Sequence, residues 1–139
     1  VKQDKVLAGI IDNETKTYTF NQKIHTMDGH VREGAFKAKY MGVSARLRIG
    51  TIRAKLLDGA PASSIDVLTD DLAYMIAYLT VALIEVPSWF KYDDMDEISE
   101  LRSMYREVSE FMSSFRSRHD SDTNVGDSSN TSSEETVED

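Results

Sequence analysis

The chain contains no cysteine among its 139 residues. This absence excludes disulfide bonds, thiolate metal sites and cysteine nucleophiles. Only three histidines are present, and the chain has neither a Gly-x-Ser-x-Gly motif nor a phosphate-binding glycine loop. No carboxylate pair is nominated for acid–base chemistry, because each acidic residue is explained by helix capping, by a helix dipole or by solvation. The sequence therefore predicts a protein that is not an enzyme and holds no cofactor.

No apolar run is long enough to predict a membrane span. Residues 72–84 pass without a charge, whereas a membrane-spanning helix needs roughly 20 apolar residues. The first ten residues do not resemble a signal peptide. We therefore expect a cytosolic protein without membrane contact, whose central apolar run is a core helix.

Charge is unevenly distributed along the chain, which has a net charge of −8. Residues 1–60 carry +5 and residues 61–139 carry −13. Residues 119–139 hold seven acids, no Lys or Arg and no aromatic residue. Such a segment buries too little apolar surface to offset the entropy cost of ordering. We predict one globular domain over residues 1–118 and a disordered acidic tail over 119–139, which either aids solubility or screens the basic half until a partner binds.

The N-terminal part is expected to form a β-hairpin or small sheet. Strands are predicted over residues 5–11 and 15–24, with a polar turn between them. Around residues 36–40, apolar side chains alternate with lysines, which is typical of a half-buried strand. With the helices that follow, this predicts an α+β fold that is mostly helical.

Two clusters of potential metal ligands are better explained by local structure. His25, Asp28 and His30 lack a fourth ligand, and Asp28 followed by Gly29 already fits a turn. The acids within residues 93–97 lack the glycine and the distal glutamate of an EF-hand calcium loop. We therefore expect no metal site.

Three helices are predicted after the strands. The first is capped by Ser44. The second begins near Ser63 or Ser64 and ends at Pro87, and the third is capped by Asp93 or Asp94 and ends near Arg118. The apolar stripe of the first helix consists of Ala45, Ile49, Ile52 and Leu56, and a second, small-residue face that suits a close helix neighbour consists of Leu47, Gly50 and Ala54. The stripe of the third helix consists of Ile98, Leu101, Tyr105, Val108, Met112 and Phe115.

The second helix is expected to form the core and to leave one edge open to a partner. Its buried side is predicted to consist of Leu72, Ile76, Leu79 and Leu83. Its polar edge consists of Asp66, Asp70, Tyr74, Tyr78 and Glu85. Beyond the helix, Trp89 and Phe90 either plug the core or form a recognition patch. The candidate partner-binding residues are therefore Tyr74, Tyr78, Trp89 and Phe90.

A set of basic residues in the first half of the chain is a candidate nucleic-acid surface. It consists of Arg32, Lys37, Lys39, Arg46, Arg48, Arg53 and Lys55. On the first helix these residues flank the apolar stripe instead of sharing one exposed face, so their long stems are expected to follow the core edge. The chain is also acidic overall, with a pI near 4.8. Both observations argue against nucleic-acid binding.

Several segments, in this order, resemble the tail assembly chaperones of long-tailed, non-contractile bacteriophages. The segments are residues 33–40 (EGAFKAKY), 46–50 (RLRIG), 53–57 (RAKLL), 67–75 (VLTDDLAYM), 81–90 (VALIEVPSWF) and 101–108 (LRSMYREV), followed by Phe111. The resemblance covers roughly residues 30–116 and rests on residue order and length, not on a catalytic signature.

This resemblance implies a non-enzymatic morphogenesis factor in the host cytoplasm. Such chaperones coat the tape measure protein, keep it soluble and recruit tail tube subunits; many are also made in a longer, frameshifted form. Self-association is left open. The alternatives are a structural tail-completion or head–tail connector protein and, from another class, a small nucleic-acid-binding regulator.

Overall fold

The computed structural model describes residues 9–123 and has the predicted α+β architecture. Within these residues, four strands form one antiparallel sheet and three α-helices complete the fold. The elements in chain order are β1 (Ile10–Asp12), β2 (Thr17–His25), β3 (Val31–Lys39), α1 (Val43–Leu56), α2 (Val67–Ala82), β4 (Leu83–Glu85) and α3 (Ile98–Thr123). Two short 3₁₀ turns, Ala62–Ser64 and Tyr92–Asp94, precede α2 and α3.

The sheet has the strand order β1-β2-β3-β4 and one buried face. In the register of β2 and β3, Tyr18 lies opposite Ala38 and Phe20 opposite Phe36, and all four side chains are buried. Since successive side chains of a strand alternate between faces, the intervening Thr19 and Lys37 lie opposite each other on the other face. The alternation predicted around residues 36–40 is therefore confirmed.

The central helix differs from the prediction at both ends. Ser63 and Ser64 lie in a 3₁₀ turn, and the helix instead begins after Asp66, whose carboxylate accepts the backbone N–H of Thr69 at 3.2 Å. The helix ends at Ala82, and the next three residues form β4 on the edge of β3. The predicted helix to Pro87 is wrong because the edge of β3 offers backbone hydrogen bonds that an extended chain can take up.

The predicted caps of the other two helices are also wrong. Gly42 occupies the N-cap position of α1, without a side-chain cap, and Ser44 lies inside the first turn. Asp93 and Asp94 belong to the 3₁₀ turn, and α3 begins at Ile98. At its other end, α3 passes the predicted domain boundary at residue 118 and runs to Thr123. The rest of the predicted acidic tail, residues 124–139, lies outside the described residues.

The core lies between the buried face of the sheet and the helices α2 and α3. Aromatic rings connect the layers: Phe111 of α3 stacks on Tyr18 with centroids 5.3 Å apart. Leu79 is fully buried as predicted, whereas Leu72, Ile76 and Leu83 are half-buried. The largest fully buried side chains are Tyr18, Phe36, Phe111, Phe115, Ile24, Leu79, Met104 and Val108. No helix among the described residues has the length and apolarity required to cross a membrane.

Candidate partner-binding site

The four aromatic residues predicted to bind a partner belong to two different ring clusters. Tyr74 and Tyr78 lie on α2 and contact Tyr105 of α3. Trp89 and Phe90 follow β4, where Phe90 contacts Phe36 of the sheet. Tyr74 is 39% exposed, but Tyr78 is buried, so the predicted polar edge of α2 is only partly open. Residue 85, also assigned to that edge, lies in β4 and not in the helix.

The tyrosine cluster joins α2 to α3. The ring centroids are 5.9 Å apart for Tyr74 and Tyr78, 4.9 Å for Tyr78 and Tyr105, and 6.1 Å for Tyr74 and Tyr105. Burial raises the pKa values of Tyr78 and Tyr105 above their ordinary value, which keeps both phenols neutral. The sequence assigned Tyr105 to the apolar stripe of the third helix and did not indicate that it meets the two tyrosines of α2.

The second cluster closes one end of the core. Phe90 packs edge-on against Phe36 with centroids 5.1 Å apart and contacts Tyr92 at 5.0 Å. Burial raises the pKa of Tyr92 to about 12. Pro87 packs closely against Gly34 of β3. A Cβ atom at position 34 would lie only 2.5 Å from Cγ of Pro87, so only glycine leaves room for this contact. These contacts favour the core-plug interpretation of Trp89 and Phe90 over a recognition patch.

Two depressions flank the exposed edge of Tyr74. The first, of about 390 Å³, lies between α1, α2 and α3, and the second, of about 340 Å³, lies between α2 and α3. Tyr74 and Ser109 line both depressions, so the two are adjacent and are described together as one groove. The arginines that line this groove are Arg46, Arg53 and Arg116 in the first depression and Arg102 and Arg106 in the second. We call this surface the arginine groove.

The outer face of α1 is a second candidate surface. Val43 and Leu47 are 77% and 71% exposed. Gly50 and Ala54 continue the same face at helical spacing and are also exposed. A Cβ atom built on Gly50 would meet no atom within 4 Å outside its own helix backbone. The small-residue face predicted from the sequence is therefore uncovered, and Val43 extends it by one turn.

The inner side of α1 is less fully buried than predicted. Ile49 is buried, Ala45 and Ile52 are half-buried, and Leu56 is 48% exposed. The helix therefore rests on the core through the middle of its predicted stripe. We call the set Val43, Leu47, Gly50 and Ala54 the outer face of α1.

The segment between β2 and β3 forms the predicted turn. Gly29 has a φ of +88°, which a glycine adopts without strain. The carboxylate of Asp28 accepts hydrogen bonds from the Thr26 hydroxyl, from Arg32 and from the backbone N–H of His30. These donors, led by Thr26, lower the pKa of Asp28. Among residues 9–123, no group of three or more His, Asp or Glu side chains is arranged to hold a metal ion.

His25 is paired with the carboxylate of Glu100. Its Nδ1 lies 2.6 Å from Oε2 of Glu100, and its backbone N–H donates to the other carboxylate oxygen at 2.8 Å. The hydrogen bond and the charge of Glu100 raise the pKa of His25. This pair links the end of β2 to the first turn of α3.

Comparisons with models of protein families, with curated proteins and with solved structures found no match to this chain. The surfaces that remain as candidates are the arginine groove and the outer face of α1. The first can attract anionic groups through its guanidinium groups, and the second can receive an apolar helix.

Proposed function

We propose that this protein is a non-catalytic tail assembly chaperone of a long-tailed phage. In this role it binds the tape measure protein and recruits tail tube subunits in the host cytoplasm. Two things support the proposal: the resemblance over roughly residues 30–116, and the uncovered apolar face of α1. The exposed Leu47 on this face is the observation that carries the argument, because an apolar side chain 71% exposed is available to a partner.

The outer face of α1 has the spacing expected of a helix-docking surface. Its residues recur at i, i+4, i+7 and i+11, so they form one stripe along the helix. Val43 and Leu47 supply apolar area, while Gly50 and Ala54 let another backbone approach closely. An amphipathic helix is the partner that such a stripe accommodates best. A tape measure protein, which is long and helical, offers many such helices.

Co-expression with the tape measure protein of the same phage tests the proposal. We expect the unchanged protein to keep that partner soluble and to co-purify with it. Leu47→Gln should weaken the complex while leaving the fold intact, because Leu47 is outside the core. The matched control is Met27→Gln, since Met27 is 65% exposed in the turn after β2. Equal binding by the two variants would contradict docking on α1.

The salt dependence of the complex separates this function from nucleic-acid binding. Apolar docking tolerates moderate salt, whereas binding to phosphates weakens steeply as ionic strength rises. We therefore expect the complex to survive moderate salt. Retention of DNA with a strong salt dependence, together with an insoluble tape measure protein, would instead favour the nucleic-acid-binding alternative. Tyr78→Ala is a less direct test, because Tyr78 is buried and its loss would disturb the fold.

A further inference from the structure

The arginine groove concentrates positive charge on a protein that is acidic overall. Five arginines line it, drawn from α1 and α3, in a chain whose net charge is −8. Two carboxylates accompany them: Asp70 accepts from Nε of Arg53 at 2.7 Å, and Asp71 lines the second depression. Among the residues that line the groove and the ion-pair partner of Arg53, guanidinium groups therefore outnumber carboxylates by three.

Two of the guanidinium groups donate hydrogen bonds to neutral oxygens. Nε of Arg46 donates to the backbone carbonyl of Met41 at 3.3 Å, and Nε of Arg116 donates to the hydroxyl of Tyr40 at 3.4 Å. Arg46 and Arg116 line the first depression together with Tyr78. A guanidinium group presents its N–H donors in a planar fork that matches the geometry of a carboxylate.

The sequence supplies an acidic segment directly after the helix that carries three of these arginines. Residues 124–139 contain five carboxylate side chains and no Lys or Arg. From Arg116 to Thr123, α3 extends by about 10 Å at a rise of 1.5 Å per residue. An extended segment of 16 residues reaches at most about 50 Å, so it can return to the groove. Covalent attachment also gives it a high effective concentration there.

We propose that residues 124–139 of this chain bind in the arginine groove, where their carboxylates pair with the guanidinium groups and the segment covers Tyr74. The ligand class is a carboxylate-rich polypeptide segment, and the occupant in the isolated protein is the chain's own. The groove shares only Gly50 with the outer face of α1, and the apolar side chains of Val43 and Leu47 do not line it. An acidic partner must displace the segment to reach the groove.

A single spin label tests this proposal, because the chain has no native cysteine. The variant Ser132→Cys, carrying a nitroxide, places the label in the middle of the acidic segment. Amide signals of Gly50, Ser109 and Ser113, which line the groove, should broaden. Signals of Asn21 and Lys23 on the open face of the sheet should keep their intensity. The broadening should decrease toward 1 M salt, where the Debye length falls to about 3 Å.

Paired charge variants show which arginines are responsible. Arg46→Gln with Arg106→Gln removes one guanidinium from each depression and should abolish the broadening. The control, Lys39→Gln with Arg48→Gln, removes the same charge from exposed positions that do not line the groove and should preserve it.

Three outcomes would overturn the proposal. The first is no broadening at the groove, and the second is equal broadening of the groove and the open sheet face. The third concerns a mixture of ¹⁵N-labelled chains that carry no nitroxide with chains that carry the nitroxide. If the ¹⁵N signals in this mixture broadened as strongly as in chains that carry both labels, the contact would belong to a second copy. None of these measurements requires the tape measure protein, so they are separate from the test of the proposed function.

Discussion

The hydroxyl of Tyr18 donates a hydrogen bond to the carboxylate of Glu107 and thereby connects the middle of the sheet to α3. The same hydroxyl accepts the backbone N–H of Gly9 at 2.8 Å. Burial is the largest cause of the raised pKa of Tyr18, and the carboxylate of Glu107 adds to it. The phenol is thus kept neutral and serves as both donor and acceptor in a fully buried side chain.

Replacement of Tyr18 by phenylalanine should destabilise the protein by about 1–3 kcal/mol. The backbone N–H of Gly9 and the carboxylate of Glu107, both on half-buried residues, would lose their hydrogen bonds to the phenol. Urea unfolding followed by far-UV circular dichroism gives the free energy of unfolding. The companion variant Glu107→Gln keeps an acceptor for the phenol and should cost less. A larger cost for Glu107→Gln than for Tyr18→Phe would show that the hydrogen bond is not the cause.

The pair of His25 and Glu100 should make stability depend on pH. The pKa of His25 is raised above its ordinary value of 6.5 in the folded state. Its stabilising contribution is therefore fully present below pH 6.5 and is lost as the pH rises through the raised value. The difference in urea midpoint between the unchanged protein and His25→Gln should decrease over this range. Glu100→Gln should remove the same dependence; a pH-independent difference would contradict the ion pair.

Two glycines should respond to alanine in opposite directions. At Gly34 a Cβ atom would lie 2.5 Å from Cγ of Pro87 and 3.2 Å from the ring of Trp89, so Gly34→Ala should cost about 1–3 kcal/mol. At Gly50 the space is open and the residue is inside a helix, so Gly50→Ala should stabilise by about 0.5–1 kcal/mol. Thermal melts of both variants measure the difference. Similar melting temperatures would mean that Pro87 does not pack on Gly34.

The elements that the sequence predicted are those decided by local pattern. Alternation of apolar and polar residues located β2 and β3. Helical spacing located the middle of the inner faces of α1 and α3, whereas Leu56 and Ile98 at the ends of the predicted stripes are exposed. The strand β4 was missed because Leu83 and Ile84 simply continue an apolar helical run. Only the edge of β3, which is distant in sequence, decides that this run becomes extended. The start of α2 was missed because Ser63, Ser64 and Asp66 are all suitable caps, and that of α1 because a glycine without a side-chain cap takes the position.

The candidate surfaces show the same division between local and long-range information. The outer face of α1 was predictable from helical spacing alone. The arginine groove was not, because Arg46 and Arg53 are separated from Arg102 and Arg106 by the whole of α2 and β4. Helical spacing also placed Tyr78 on an open edge, and its burial depends on contact with α3.

Leu79 provides the most direct test of the core, because its side chain is fully buried on α2. Leu79→Ala should destabilise the protein by about 2–5 kcal/mol, through lost apolar burial and the cavity left behind. That is a large part of the 5–15 kcal/mol typical of a domain. Val67 lies at the start of the same helix and is 77% exposed, so Val67→Ala truncates an apolar side chain outside the core. Val67→Ala should therefore stay within about 0.5 kcal/mol of the unchanged protein. If Leu79→Ala also stayed within that range in urea unfolding, this side of α2 would belong to an interface and not to the core.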